Sequence, residues 1–411
     1  MNYFIKNIHI NKLFHLNDID IPIANEKSPH LLITGKNGSG KTVLLNAISD
    51  FFDIIKKDTS LNFLKYKSNL EYWVNYLKSV SAQEEKIRTQ KEIDDYKKYI
   101  SQLYGRVEIE SDALMEMVDK YSKGLFVIAF YQADRKVKMA EPKNPTKPVY
   151  NKKGDVKETA TSQFLNFLSD LKIQEALARN EKQTKDADEI KAWFEDFEGL
   201  LRQIYQDENL NLEFNYRDYS FRICTEGKKF KFTEVSDGFA AVLDIVADLI
   251  LKMQDDNSLT RSYQKEGIVL IDEIETHLHL ALQKVIMPLL TKVFPNIQFI
   301  ITTHSPFVLS SIPNAVAYDL EHQEVLDNLT EYSYESLAEG YFGVRTQSSY
   351  AEMQLETFKK LLAKEELSDA DKVEIKQLKS DFEKITEVVS PLIVGEFRQI
   401  VIQNAEKLSS L

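Results

Sequence analysis

Gly35-Lys36-Asn37-Gly38-Ser39-Gly40-Lys41-Thr42 decides the fold of this 411-residue chain. It fits the phosphate-loop pattern G-x-x-x-x-G-K-[ST] in full. Leu31-Leu32-Ile33 before it is a short apolar run that reads as a strand, and Val43–Phe52 after it reads as a helix. The chemistry needs these residue types. Glycines let the backbone wrap a phosphate, and the amides and the helix N-terminus then face negative charge. Lys41 reaches the β- and γ-phosphates, and the Thr42 hydroxyl ligates Mg²⁺.

Two strand ends supply the rest of a phosphoryl-transfer site. Gly267-Ile268-Val269-Leu270-Ile271 is a buried strand that ends in Asp272-Glu273. Asp272 would hold Mg²⁺ through water, and Glu273 would polarise an attacking water as general base. Ile300-Ile301-Thr302-Thr303 is the next strand and delivers His304, where a γ-phosphate sensor would sit. A fourth segment, Val235-Ser236-Asp237-Gly238-Phe239, opens an apolar helix running to Leu251.

Taken together and in this order, the four segments resemble the ATP-binding-cassette (ABC) ATPases, in the soluble branch that includes the Rad50, RecF, structural-maintenance-of-chromosomes (SMC) and OLD proteins. The resemblance covers about residues 1–315. It implies an α/β head, a mixed sheet with a phosphate-loop core, carrying helical insertions and a helical C-terminal region. It also implies that Ser236, Asp237 and Gly238 form the signature that caps ATP held by a second copy, in a head-to-head dimer. Gln132, after the apolar stretch Leu125–Tyr131, then corresponds to the Gln-loop residue that touches Mg²⁺ and the water. Phe14 is either an aromatic stacked on adenine or a core residue, and Arg135 a reader of phosphate or of a partner carboxylate.

The chain departs from the common signature. Asp237 stands where the first glycine usually sits, and Phe239 at the last position. That form, with Asp272-Glu273-Ile274-Glu275-Thr276-His277-Leu278-His279, resembles the compact ATPases of prokaryotic antiphage defence, the Septu ATPases most and the PARIS ATPases as close rivals. The resemblance implies an ATPase that controls a partner effector, an HNH-type nuclease, with hydrolysis that is slow or mainly a switch. The alternative is a repair ATPase of the RecF or Rad50 type acting directly on DNA. An OLD-type nuclease would need an Asp-x-Asp cluster on a βα fold beyond His304, whereas Asp369-Ala370-Asp371 lies at a helix start. Glu275, His277 and His279 also form a candidate metal cluster.

The remaining periodicities divide the chain into an ATPase domain over residues 1–330 and a C-terminal helical region over 331–411. Strands are expected at 3–10 and 19–23 with a turn near Asn17-Asp18. A polar helical insertion is expected over 61–122 and a helical lid over 160–206. Ser368 reads as a helix N-cap. Leu355, Phe358, Leu361 and Leu362 form one apolar stripe, and Leu378, Phe382, Ile385 and Val389 a second. Ile393, Phe397, Ile400 and Val401 on the final helix remain to be covered, by the ATPase core or by another chain.

Acids outnumber Lys plus Arg by 64 to 52, for a net charge of −12, so a strongly basic nucleic-acid coat is excluded. A local patch is not, since eight basic residues lie between Arg135 and Lys157. The single cysteine, Cys224, rules out an internal disulfide. No apolar run approaches a membrane span and the N-terminus lacks a signal-peptide pattern, so a cytoplasmic protein with no membrane contact is expected.

Overall fold

Near-continuous burial marks the strands that surround the phosphate loop. The computed structural model describes residues 5–23, 29–57, 62–112, 114–135, 139–142, 156–254, 263–326, 329–340, 342, 349–385 and 390–409. It divides into two compact units, Met1–Tyr332 and Ser333–Leu411. The first unit opens with β1 (Ile5–Leu13), β2 (Leu16–Pro22), β3 (His30–Thr34), α1 (Lys41–Lys57), α2 (Asn62–Ser79), α3 (Gln83–Tyr104), β4 (Val107–Ser111), α4 (Leu114–Ser122) and β5 (Phe126–Tyr131). It continues with α5 (Phe164–Asn180), α6 (Thr184–Tyr205), β6 (Asn211–Asn215), β7 (Ser220–Thr225), β8 (Lys228–Lys231) and α7 (Asp237–Lys252). It closes with β9 (Glu266–Ile271), α8 (Leu280–Val293), β10 (Ile297–Thr302), the short α9 (Pro306–Leu309), β11 (Ala315–Asp319) and β12 (Glu324–Leu326).

The central sheet runs β12-β11-β3-β10-β9-β5. All its neighbours are parallel except the β11–β12 hairpin. Every residue of β3, β5 and β10 is buried, as strands covered on both faces require. A second sheet, β2-β1-β4, is antiparallel. Gln298 of β10 joins the two sheets. Its Oε1 accepts from Ile5 N at 2.8 Å, and its Nε2 donates to Ile5 O at 3.0 Å. This sheet corrects two expectations. The β1–β2 turn falls at Phe14-His15 rather than Asn17-Asp18. The insertion expected to be wholly helical is the hairpin α2–α3 followed by β4, whose Ile109 pairs with Ile8.

The lid is α5 and α6 packed over the antiparallel sheet β6-β7-β8. Ile190, Phe194, Phe197, Leu201 and Ile204 of α6 are all buried, because steps of three and four keep them on one face. Trp193 stacks on Phe197 at 5.4 Å, and Phe194 on Phe221 at 6.0 Å. Cys224 is free and buried in β7.

The second unit holds α10 (Tyr334–Gly340), α11 (Ser349–Ala363), α12 (Asp369–Glu383), α13 (Pro391–Gln403) and α14 (Ala405–Ser409). Leu355, Phe358, Leu378, Phe382, Ile393, Phe397 and Ile400 form one core. Ile393, Phe397 and Ile400 of α13 are thus packed against α11 and α12. Ser368 caps α12, and Asp371 completes a capping box with it. The hydrogen bond from the Lys364 ammonium, followed by the capping bonds, pushes the Asp371 carboxyl down to about 2. Val389 lies outside the described residues.

Candidate active site

Strands β3, β10, β9 and β5 are adjacent and parallel, so their C-terminal ends share one edge of the sheet. Ile33 pairs with Thr302, Ile301 with Ile271, and Ile271 with Tyr131. That register brings the phosphate loop, the Asp272-Glu273 pair, His304 and Gln132 to the same edge.

The loop between β3 and α1 is folded around the Lys41 side chain. Lys41 Nζ donates to Gly35 O at 2.7 Å, to Lys36 O at 2.9 Å and to Ser39 Oγ at 3.4 Å. Burial lowers the pKa of this ammonium, and the carboxylates of Glu273 and Asp272 oppose that shift. Gly40 has φ +102°, and a Cβ there would meet Leu16 Cδ1 at 3.1 Å. The β1–β2 turn thus lies against the loop. Outside the loop, Glu321 of the β11–β12 turn takes hydrogen bonds from Lys36 Nζ at 2.8 Å and Lys36 N at 3.3 Å. Thr42 is exposed at the start of α1.

Thr302, the last residue of β10, holds the Asp272 carboxylate and the Glu273 backbone just past the end of the neighbouring strand. Its hydroxyl donates to Asp272 Oδ1 at 2.6 Å and accepts from Glu273 N at 2.8 Å. Asp272 is buried, and Glu273 adopts φ +44°, a left-handed conformation that costs a non-glycine residue of order 1–3 kcal/mol. Thr276 Oγ1 donates to Glu273 Oε2 at 3.2 Å.

Arg135 is not at the surface to read a phosphate or a partner carboxylate, which corrects the expectation for it. It is 8% exposed, and its guanidinium donates to Asp272 O and Glu273 O at 2.9 Å each and to Ile274 O at 3.2 Å. Burial lowers its pKa, and the Asp244 carboxylate, first among several acids, opposes this. A cavity of about 470 Å³ lies beside it, lined by Arg135, Phe232, Asp237, Ala240 and His277 among others.

His304 is half-buried. Its backbone N donates to Glu275 Oε1 at 2.5 Å, and Thr303 Oγ1 donates to Glu275 Oε2 at 2.7 Å. Burial lowers the imidazole pKa, with the Lys41 ammonium acting in the same direction. Nε2 is shielded from solvent and has no hydrogen-bond partner among the described residues. An uncommitted ring nitrogen and a buried ammonium suit the phosphates of a nucleoside triphosphate, and the carboxylate pair at the same edge suits its metal ion and an attacking water. Thr42 and Asp272 offer the hard oxygen ligands that suit Mg²⁺, which would supply charge neutralisation between the phosphates.

The signature residues stand apart from this edge. Ser236 is the exposed N-cap residue of α7, and its side chain makes no capping bond. Asp237 is exposed, and Gly238 is buried against the loop after Glu273, where a Cβ would come within 2.7 Å of His277 O. Phe239 stacks on Tyr205 at 4.1 Å. Gln132 is exposed directly after Tyr131, whose carbonyl accepts from Asp272 N at 2.8 Å. Phe14 is 71% exposed in the turn beside the loop, so it is not a core residue.

The candidate metal cluster is corrected. Glu275 is committed to Thr303 and His304, and His279 Nδ1 accepts from Leu282 N as the cap of α8, so with His277 they form no metal cluster. Among the described residues no group of His, Cys, Asp or Glu side chains is arranged to hold a metal ion in that way. Of the basic stretch, Arg135 is internal and Lys157 pairs with Asp50 at 3.6 Å; Lys136, Lys138, Lys143, Lys147, Lys152 and Lys153 lie outside the described residues.

A phosphate loop, an acidic strand end and a histidine meet on three adjacent parallel strands, beside an antiparallel sheet at the N-terminus and a helical lid, an arrangement that resembles the head of an ABC-type ATPase. Residues 131–310 match the family described as "AAA domain, putative AbiEii toxin, Type IV TA system". The chain resembles the ABC-type ATPases of antiphage defence. The Septu protein PtuA of Bacillus mycoides (strain KBAB4) is 31% identical over 180 residues, 42% of this chain and 25% of that one. The Retron Vc95 probable ATPase of Vibrio cholerae serotype O1 biovar El Tor is 38% identical over 91 residues, 22% of this chain and 18% of that one. The chain thus spans a quarter or less of the length of these curated relatives. An SMC head solved bound to the C-winged helix domain of ScpA aligns at 14% identity with a TM-score of 0.39, over 79% of this chain and 97% of that one.

Proposed function

We propose that the chain is an ATPase subunit that binds Mg²⁺-ATP at Gly35–Thr42, dimerises head-to-head around it, and controls a partner effector nuclease of HNH type in an antiphage defence complex. The observation that carries the reading is the convergence on one sheet edge of Lys41, the Thr302-held pair Asp272 and Glu273, and His304 with its uncommitted Nε2. Lys41 binds the β- and γ-phosphates, Glu273 accepts the proton of the attacking water, and Gln132 and His304 orient water and γ-phosphate. The signature residues Ser236, Asp237 and Gly238 belong to the second copy's nucleotide, which fits the exposure of Ser236 and Asp237 at the start of α7.

The defence setting is supported by the likeness to a Septu protein and to a retron ATPase. A Rad50-type clamp would need a coiled coil of hundreds of residues between the motifs, whereas α2 and α3 have 18 and 22 residues, or about 33 Å for the longer at ~1.5 Å per residue. No helix among the described residues is long and apolar enough to cross a membrane.

Calorimetry of Lys41→Ala tests the site. Removing the ammonium is expected to abolish ATP binding, and an unchanged affinity would sink the assignment.

A further inference from the structure

The segment after the general base is bonded to the histidine strand by one side chain the reaction itself does not need. Glu275 spans the gap from the β9 loop to the end of β10. Its Oε2 accepts from Thr303 Oγ1 at 2.7 Å and its Oε1 from His304 N at 2.5 Å. The Thr303 hydroxyl also accepts from Ser305 N at 3.0 Å, and Ser305 Oγ donates to Gln283 Oε1 at 2.7 Å. The backbone on both sides of His304 is therefore held from the 275–283 stretch. The same stretch meets the signature helix. Gly238 is in close approach to His277 O, and the Phe239 ring lies 5.9 Å from His279, edge to face.

We propose that Glu275 is the positioning residue for His304, setting the backbone from which the imidazole meets the γ-phosphate and tying that setting to the loop on which the signature helix rests. The proposal rests on the ATPase reading above. The physical argument is that a carboxylate accepting two hydrogen bonds through two different oxygens fixes both position and orientation. A single contact would leave a hinge. Nε2 of His304 has no hydrogen-bond partner among the described residues, so the aim of the ring depends on its backbone. A displacement of about 1 Å at such a group is enough to cost roughly a hundredfold in rate. Gln at position 275 keeps the shape. Its carbonyl oxygen accepts from His304 N, and its amide donates to a rotated Thr303 hydroxyl. Alanine removes both bonds.

The test compares Glu275→Ala and Glu275→Gln in the full chain, measuring ATP affinity by calorimetry, steady-state turnover, and the ring resonance of His304 with ¹³C-labelled histidine. For Glu275→Ala the expected result is a turnover loss of about 10–100-fold with ATP affinity within about threefold of wild type, together with a shifted His304 resonance. Glu275→Gln is expected to restore most of the rate and the resonance. Wild-type turnover from Glu275→Ala, or an equal loss in both variants, overturns the proposal. If the wild-type chain binds ATP without hydrolysing it, the ATPase reading fails by itself. The resonance then decides on its own: a His304 signal that shifts in Glu275→Ala and returns in Glu275→Gln supports the positioning role, and one that stays fixed in both overturns it.

Discussion

The Thr302 hydroxyl donates to Asp272 Oδ1 at 2.6 Å across the β9–β10 ladder, and it accepts from Glu273 N at 2.8 Å. One buried hydroxyl thereby orders the Asp272 carboxylate and the backbone that carries Glu273. Thr302→Val keeps the shape of the side chain and removes both bonds. Leaving the Asp272 acceptor and the Glu273 amide unpaired is expected to cost about 1–3 kcal/mol of stability. It should also lower turnover by about tenfold or more, while ATP still binds. Denaturant unfolding beside a phosphate-release assay checks both, and full activity in the variant would remove Thr302 from the account.

Arg135 grips the loop that carries the general base by three backbone carbonyls. Lysine has the charge but not the planar fork, so Arg135→Lys can serve only part of that set. The expected outcome is a stability loss of about 2 kcal/mol with turnover reduced more than affinity. A variant that loses ATP binding but keeps its stability would restore the phosphate-reading role for this residue.

His30 offers a pH test that does not involve the active chemistry. Burial lowers its pKa from 6.5 to about 4, and its Nδ1 accepts from Phe299 N at 3.2 Å. The folded pKa lies below the unfolded one, so the unfolded chain takes the proton first as pH falls. The stability contribution is intact above about pH 6.5 and is lost between 6.5 and 4, reaching about 3 kcal/mol. His30→Asn keeps an acceptor but does not titrate there. Unfolding curves at pH 7 and 4.5 should converge for the variant relative to wild type, and identical pH dependence in the two would contradict the assignment.

The legible parts of the sequence were those written in contiguous residues. The phosphate loop is a motif with a strand before it and a helix after it, and β9 and β10 are apolar runs that end in chemical groups. The buried face of α6 followed from its steps of three and four. What escaped depended on register between distant segments. Thr302 meets Asp272 only because β10 pairs with β9, 30 residues apart, and Arg135 meets Ile274 across 139. Strand β4 is five residues, Val-Glu-Ile-Glu-Ser, within a polar stretch, and only pairing with β1 makes it a strand. Phe14 could be an adenine-stacking aromatic or a core residue as far as the sequence went, and it is the turn at φ +54° that leaves it exposed. The final helix looked unpartnered because its stripe says only that it must be buried, not that α11 and α12 would cover it.

The central claim is that two heads close around ATP, and Glu273→Gln tests it most directly. The amide cannot take a proton from water, while Thr302 can still hold the backbone of residue 273. The variant should bind Mg²⁺-ATP, fail to turn it over, and accumulate in the closed state. Light scattering coupled to size exclusion measures its mass with and without nucleotide. The account predicts a doubling of mass that requires Mg²⁺-ATP and disappears when Ser236 is also replaced by Arg, a side chain that blocks the signature. An unchanged mass in saturating Mg²⁺-ATP would contradict it.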